Sequence, residues 1–176
     1  MEYLIRPMKP DEYGLLEDFL YHAIFIPDWY KDPVPRSVIY EPELWCTIEN
    51  FGQDKDDFCL VAEADEKIVG AVWVRTSKQY GHIDDKTPCF SISLYPEYRN
   101  QGIGTGLMKK MIKFLTDKGY KRASLSVQKE NYAMGLYSKL GFETVKENNG
   151  ECVMVKKLNS PEEYHEYQRA KNQIMV

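Results

Sequence analysis

Long apolar runs are missing from this chain, and no stretch approaches the roughly 20 residues of a membrane span. A basic excess is missing too. With 23 Lys and Arg against 27 Asp and Glu, the formal net charge is −4. That argues against broad nucleic-acid binding, which needs a dense cationic face. The four cysteines, Cys46, Cys59, Cys89 and Cys152, form no C-x-x-C pair, so no structural metal is expected. Their spacing leaves disulfides open. The opening residues, Met1 to Pro7, lack the charged, apolar and cleavage regions of a secretion signal. The cysteines are therefore read as reduced, buried thiols of a cytoplasmic protein. Internal repeats and low-complexity tracts are absent as well. What is present is 43% hydrophobic and 13% aromatic, too rich for a disordered chain. At 176 residues it suits one domain with a substantial core.

Periodicity divides the chain. Tyr3 to Arg6 reads as a short strand ended by Pro7. From Asp11 to Phe25, apolar residues recur at helical spacing with acids in the first turn. Pro27, Pro33, Pro35 and Pro42 make the next stretch an irregular, aromatic loop. A short helix is expected from about Glu43 to Phe51. Two apolar runs, Phe58 to Ala64 and Ile68 to Val74, flank Asp65-Glu66-Lys67 and predict a hairpin. A strand follows at Phe90 to Leu94. Gly102 to Lys118 is an amphipathic helix with Gly119 at its C-terminal cap. Ala123 to Val127 is a strand and Tyr132 to Leu140 a helix closed by Gly141. A last hairpin, Phe142 to Val145 with Cys152 to Val155, turns at Asn149-Gly150. Ser160-Pro161-Glu162-Glu163 has the form of a capping box opening a polar terminal helix, either surface decoration or an oligomer contact. The order implies a mixed α/β (α+β) layer domain.

The most informative segment joins the strand at Phe90 to Leu94 to the following helix. It reads Tyr95-Pro96-Glu97-Tyr98-Arg99-Asn100-Gln101-Gly102-Ile103-Gly104-Thr105-Gly106. A helix start presents backbone N–H groups with no intrahelical partner. With the helix dipole they form an anion site. Glycines let a pyrophosphate approach the main chain, and Arg99 can add charge at the entrance. Three phosphate patterns compete. The G-x-x-x-x-G-K-[ST] loop is absent. The dinucleotide fingerprint G-x-G-x-x-G fails because Leu107 stands at its third glycine, and no acid follows at the next strand end. The pattern [Q/R]-x-x-G-x-[G/A] is satisfied by Arg99, Gly102 and Gly104. A ligand-free helix entry would not need three glycines within five residues, each unfavourable in a helix.

In this segment the chain resembles the GCN5-related N-acetyltransferase (GNAT) family. Leu94 to Arg99 is similar to that family's exit from its fourth strand. Asn131, Ala133, Leu136, Tyr137 and Leu140-Gly141-Phe142 resemble its second conserved block. The resemblance covers about Ile68 to Val155. It implies a single domain at residues 1–158, with 159–176 as a helical extension. The implied sheet is mixed, mostly antiparallel, of about seven strands with helices on both faces. It splays between strands four and five, here Phe90–Leu94 and Ala123–Val127.

The implied activity is transfer of an acetyl or other acyl group from acetyl-CoA, the co-substrate, to an amine. The acceptor would be a small molecule or a peptide, attacking directly in a ternary complex. Nucleic-acid and membrane partners are not implied, and the chain would be a monomer or homodimer. The resemblance places coenzyme A against Ser93, Leu94, Tyr95, Arg99, Asn100, Gln101, Gly102, Ile103, Gly104, Thr105, Asn131 and Tyr137. It makes Tyr137 the general acid for the leaving thiolate; otherwise Tyr137 is a packing aromatic. Asn131 can touch the cofactor, cap a helix, or do both. No base stands at the start of strand four, where Thr87-Pro88-Cys89 is found. Asp85, beside His82 and Asp84, is the nominated candidate, set against a solvated polar turn. The aromatics from Phe25 to Tyr30 either shape an acceptor pocket or cover the sheet. A non-catalytic acyl-CoA-binding module and an ATP- or NAD-binding protein are the competing readings.

Overall fold

The computed structural model describes residues 2–160. The terminal helix expected from Ser160 onward lies outside the described residues. Seven strands form one sheet: β1 (Leu4–Pro7), β2 (Phe58–Ala64), β3 (Lys67–Arg75), β4 (Cys89–Leu94), β5 (Arg122–Gln128), β6 (Glu143–Asn148) and β7 (Glu151–Lys157). Their spatial order is β1-β2-β3-β4-β5-β7-β6. Every neighbouring pair is antiparallel except β4–β5, which is parallel. A parallel pair needs a crossover, supplied by α3 (Ile103–Asp117). The other helices are α1 (Leu16–Ala23), α2 (Pro42–Trp45) and α4 (Ala133–Lys139). This is the mixed, mostly antiparallel sheet that the resemblance implies.

Period-two alternation explains the layers. On β2 and β3, Leu60, Ala62, Val72 and Val74 face α3, while Cys59, Val61, Ala71 and Trp73 face α1. On α3, Ile103, Leu107, Met108, Met111 and Leu115 are almost fully buried, the stripe that their spacing predicts. Both α3 and α4 end in a left-handed glycine, at φ +85° for Gly119 and +88° for Gly141. After each glycine, the next N–H reaches back to Leu115 and Tyr137 respectively, which closes the helix ends.

Two helices are shorter than their periodicity predicts. Pro10–Leu15 is a 3-10 turn before α1. The helix expected to Phe51 stops at Trp45. There Arg75 Nη1 donates to the carbonyls of Cys46 (3.0 Å) and Glu49 (2.8 Å), and a continuing helix would need the first of these for the Asn50 amide. The last hairpin is longer than predicted, because β6 and β7 stay paired out to Asn149-Gly150.

The N-terminal strand is fastened by charge. Arg6 donates to Glu12 at 2.8 Å through two nitrogens and to Glu63 at 2.8 Å. The Arg6 guanidinium holds the Glu12 carboxyl down at about 2. A carboxylate depressed on folding stabilises above its unfolded value and loses that contribution as pH falls. Acid titration should therefore lower stability between about pH 4.5 and pH 2. Glu12→Gln should remove that part of the decline, read from urea midpoints at each pH.

Candidate active site

Strands β4 and β5 meet at one registered pair, Cys89 with Ser124. Ser124 N–H donates to the Pro88 carbonyl at 3.0 Å. Beyond that point the strands diverge, although β4 remains fully paired with β3 up to Leu94. Backbone groups alternate sides along a strand. The Pro88 carbonyl points toward β5, and Tyr95 N–H points toward β3, donating to Val69. The amides of Ile92 and Leu94 therefore open into the gap.

The gap widens into a cleft of about 990 Å³ lined by Phe90 to Leu94 and by Leu125 to Gln128. That is large for a ligand site. Gly81 helps to fix its upper end. A Cβ there would lie 2.6 Å from Cys89 Sγ and 2.7 Å from the Leu125 backbone. Only a glycine lets the 76–88 loop lie so close to β5, and Tyr80 follows it into the cleft.

The glycine segment forms one end of the cleft. Asn100, Gly102, Gly104 and Thr105 line it. Gly102 immediately precedes α3 at φ +83°, a conformation that costs an L residue roughly 1–2 kcal/mol. A Cβ on Gly104 would sit 3.3 Å from Leu94 Cδ1, over the cleft side of the strand. A Cβ on Gly106 would meet the Tyr3 hydroxyl at 2.7 Å, so this third glycine serves the contact between α3 and the N-terminal segment.

Arg99 lines the cleft but is engaged structurally. Its Nε donates to the Leu94 carbonyl and its Nη2 to the His22 carbonyl, both at 3.1 Å. It ties the end of β4 to α1. Asn131 Oδ1 accepts from Ala133 N–H at 2.9 Å while the residue also lines the cleft. Tyr137 is buried against Phe142, with ring centroids 6.3 Å apart, and also lines the cleft. Burial pushes its phenol up, so it holds its proton at neutral pH.

Four nominated side chains lie away from the cleft, although the backbone amides of Gln101 and Ile103 stay at the helix start. Tyr95 turns onto the α1 side, 5.1 Å from the Phe19 ring and 5.3 Å from His22. Ile103 is a core residue at 1% exposure. The Gln101 side chain donates to the Glu97 carbonyl. Asp85 lies outside the cleft, in a second, shallow depression with Lys55 and Lys121. Its side chain is 91% exposed, 3.7 Å from His82, as the solvated-turn reading expects.

Other lining residues come from segments that carry no motif. Glu41, Glu43, Thr47, Tyr80 and Glu151 line the same cleft, brought together by folding alone. The aromatic loop contributes Phe25. Trp29 Nε1 donates across to Glu130 Oε2 at 3.3 Å, which straps that loop to the turn before α4.

Residues 21–142 match the model of the acetyltransferase (GNAT) family. The chain belongs to this family. Acetyltransferase ECA0875 of Pectobacterium atrosepticum is 30% identical over 126 residues, 70% of this chain and 80% of that protein. Human N-acetyltransferase 8B is 35% identical over 83 residues, 47% of this chain but only 37% of the relative's length. Among solved structures, the PaiA N-acetyltransferase of Thermoplasma acidophilum in complex with coenzyme A superposes with a TM-score of 0.65. It is 21% identical, over 89% of this chain and 99% of that one. Its likeness supports the GNAT fold. Among the described residues, no group of His, Cys, Asp and Glu is arranged to hold a metal ion. No described helix is long and apolar enough to cross a membrane.

Proposed function

We propose that this GNAT chain transfers an acetyl group from acetyl-CoA to an amine by direct attack in a ternary complex. The observation that carries this reading is the gap between β4 and β5. It has free strand amides on one wall, a glycine-capped helix start at one end and a protonated phenol beside it. The names of the relatives, and the coenzyme A bound to the PaiA protein, agree with it.

In this reading the amides of Asn100 to Thr105 hold the pyrophosphate. The amides of Ile92 and Leu94 hold the acyl-bearing arm and stabilise the oxyanion that forms at the thioester carbonyl. The amine lone pair forms the C–N bond and the C–S bond breaks. The departing sulfur takes the Tyr137 proton, and the nitrogen loses its own proton to water.

Calorimetry should show saturable binding of coenzyme A and none of comparable strength for ATP or NAD. Preferential binding of either nucleotide would sink the proposal. Gly104→Val should place a side chain over Leu94 and weaken coenzyme A binding by about tenfold or more. Far-ultraviolet circular dichroism and Tm should show that the variant keeps its fold, since the added atoms meet the flexible end of the Leu94 side chain.

A further inference from the structure

The cleft has two sides. Phe90, Ile92 and Leu94 point toward α3 and α4. Ser91 and Ser93 alternate with them and point toward α1. On β7, Cys152 and Met154 belong to the α3 side, so Glu151 shares the α1 side with its partner Gln128. This second chamber has Ser91, Ser93 and Glu151 at its floor. Its rim comes from Asp28, Glu41, Glu43 and Tyr80.

Carboxylates outnumber cations there. The charged or titratable groups that line the cleft are Asp28, Glu41, Glu43, Glu151, His22 and Arg99, with Tyr21, Tyr80, Tyr132 and Tyr137. Arg99 is its one lysine or arginine, and it is bonded to two main-chain carbonyls. Burial pushes the Tyr80 phenol up, and the field of Glu43 and Glu41 at the start of α2 and of Glu151 on β7 adds to it. The floor carries an independent sign of a ligand. Ser93 is only 4% exposed, yet its hydroxyl has no hydrogen-bond partner. A buried hydroxyl without a partner is costly, and an acceptor's N–H or O–H would satisfy it.

We infer that the acyl acceptor is a small amine carrying a second cationic nitrogen, held through Glu41, Glu43 and Glu151. One nitrogen reaches the gap between β4 and β5 while the other stays among the rim carboxylates. The inference rests on the acyl-transfer reading for which nitrogen reacts, but the binding preference can be measured without turnover.

The test uses the chain saturated with coenzyme A, titrated with diaminobutane, with aminobutane and with a short lysine-rich peptide. Diaminobutane should bind about fivefold or more tightly than aminobutane, since the rim carboxylates are partly screened. The advantage should shrink as salt is raised. Glu43→Gln and Glu151→Gln should each weaken diaminobutane more than aminobutane and so reduce the advantage, with Tm unchanged. Equal binding of the two amines would overturn the inference, as would insensitivity to both substitutions or tighter binding of the peptide. The same samples, given acetyl-CoA, report transfer separately. Selective diamine binding without acetylation leaves the chamber assignment standing and removes the acetyltransferase reading.

Discussion

Tyr137→Phe should slow acetyl transfer by about 10²–10⁴-fold, the usual contribution of a positioned general acid. Coenzyme A affinity and Tm should change little. The physical basis is the difference between the two roles of this side chain. Its ring fills space against Phe142, whose ring in turn meets Phe90 at 5.8 Å, and phenylalanine keeps that packing. In the proposed mechanism its hydroxyl supplies the proton, and burial keeps that proton in place through the neutral range. Removing the hydroxyl should therefore lower kcat and leave KM for acetyl-CoA nearly unchanged. A variant with undiminished kcat from pH 7 to pH 9 would reduce Tyr137 to a packing residue. The free amides of Ile92 and Leu94 would then carry the chemistry.

Asp57→Ala should cost about 3–5 kcal/mol and lower Tm by roughly 10 °C or more. The Asp57 side chain is fully buried and paired with Arg75 at 3.0 Å, and the Arg75 side chain is 11% exposed. The carboxylate also accepts from the amides of Gly52 (2.9 Å) and Asp54 (3.3 Å). Alanine would leave the largely buried guanidinium without its carboxylate and remove the acceptor of both amides. Most of the loss is then the penalty of an unpaired buried charge rather than the worth of the pair. Replacing Arg75 as well, with methionine, should recover part of it. No recovery in the double variant would show that the cost lies in the two amides. Arg75 also holds the carbonyls of Cys46 and Glu49, on either side of the cleft residue Thr47. Asp57→Ala should therefore raise KM for the acceptor more than KM for acetyl-CoA, measured at 20 °C on the folded fraction.

Much of the framework was legible because it depends on short-range rules. Period-two and helical spacing marked β2, β3, α3 and the buried stripe from Ile103 to Leu115. Gly119 and Gly141 marked helix ends because a left-handed backbone favours glycine. The glycine segment announced an anion site because unpaired amides at a helix start are a local property. Arg99 shows where that reading reached its end. Its type suited a phosphate, yet its partners are the carbonyls of Leu94 and of His22, the latter 77 residues away in sequence. No local pattern carries such a contact.

The sequence by itself determined the cofactor half of this protein, from the strand before Tyr95 to Phe142, and with it the family. Each of its signals lies within a few residues along the chain, where backbone geometry and helix capping act. The tertiary structure alone decided the half proposed to hold the acceptor. Glu41 and Glu43, Tyr80, and Glu151 come from three places with no shared spacing, and only the divergence of β4 from β5 gives them a common cleft. It likewise left Asp85 in solvent, because its loop reaches β4 at the end away from the opening. The carboxylates at the mouth belong to one site because a sheet that opens between two strands gathers every loop on one side of the gap.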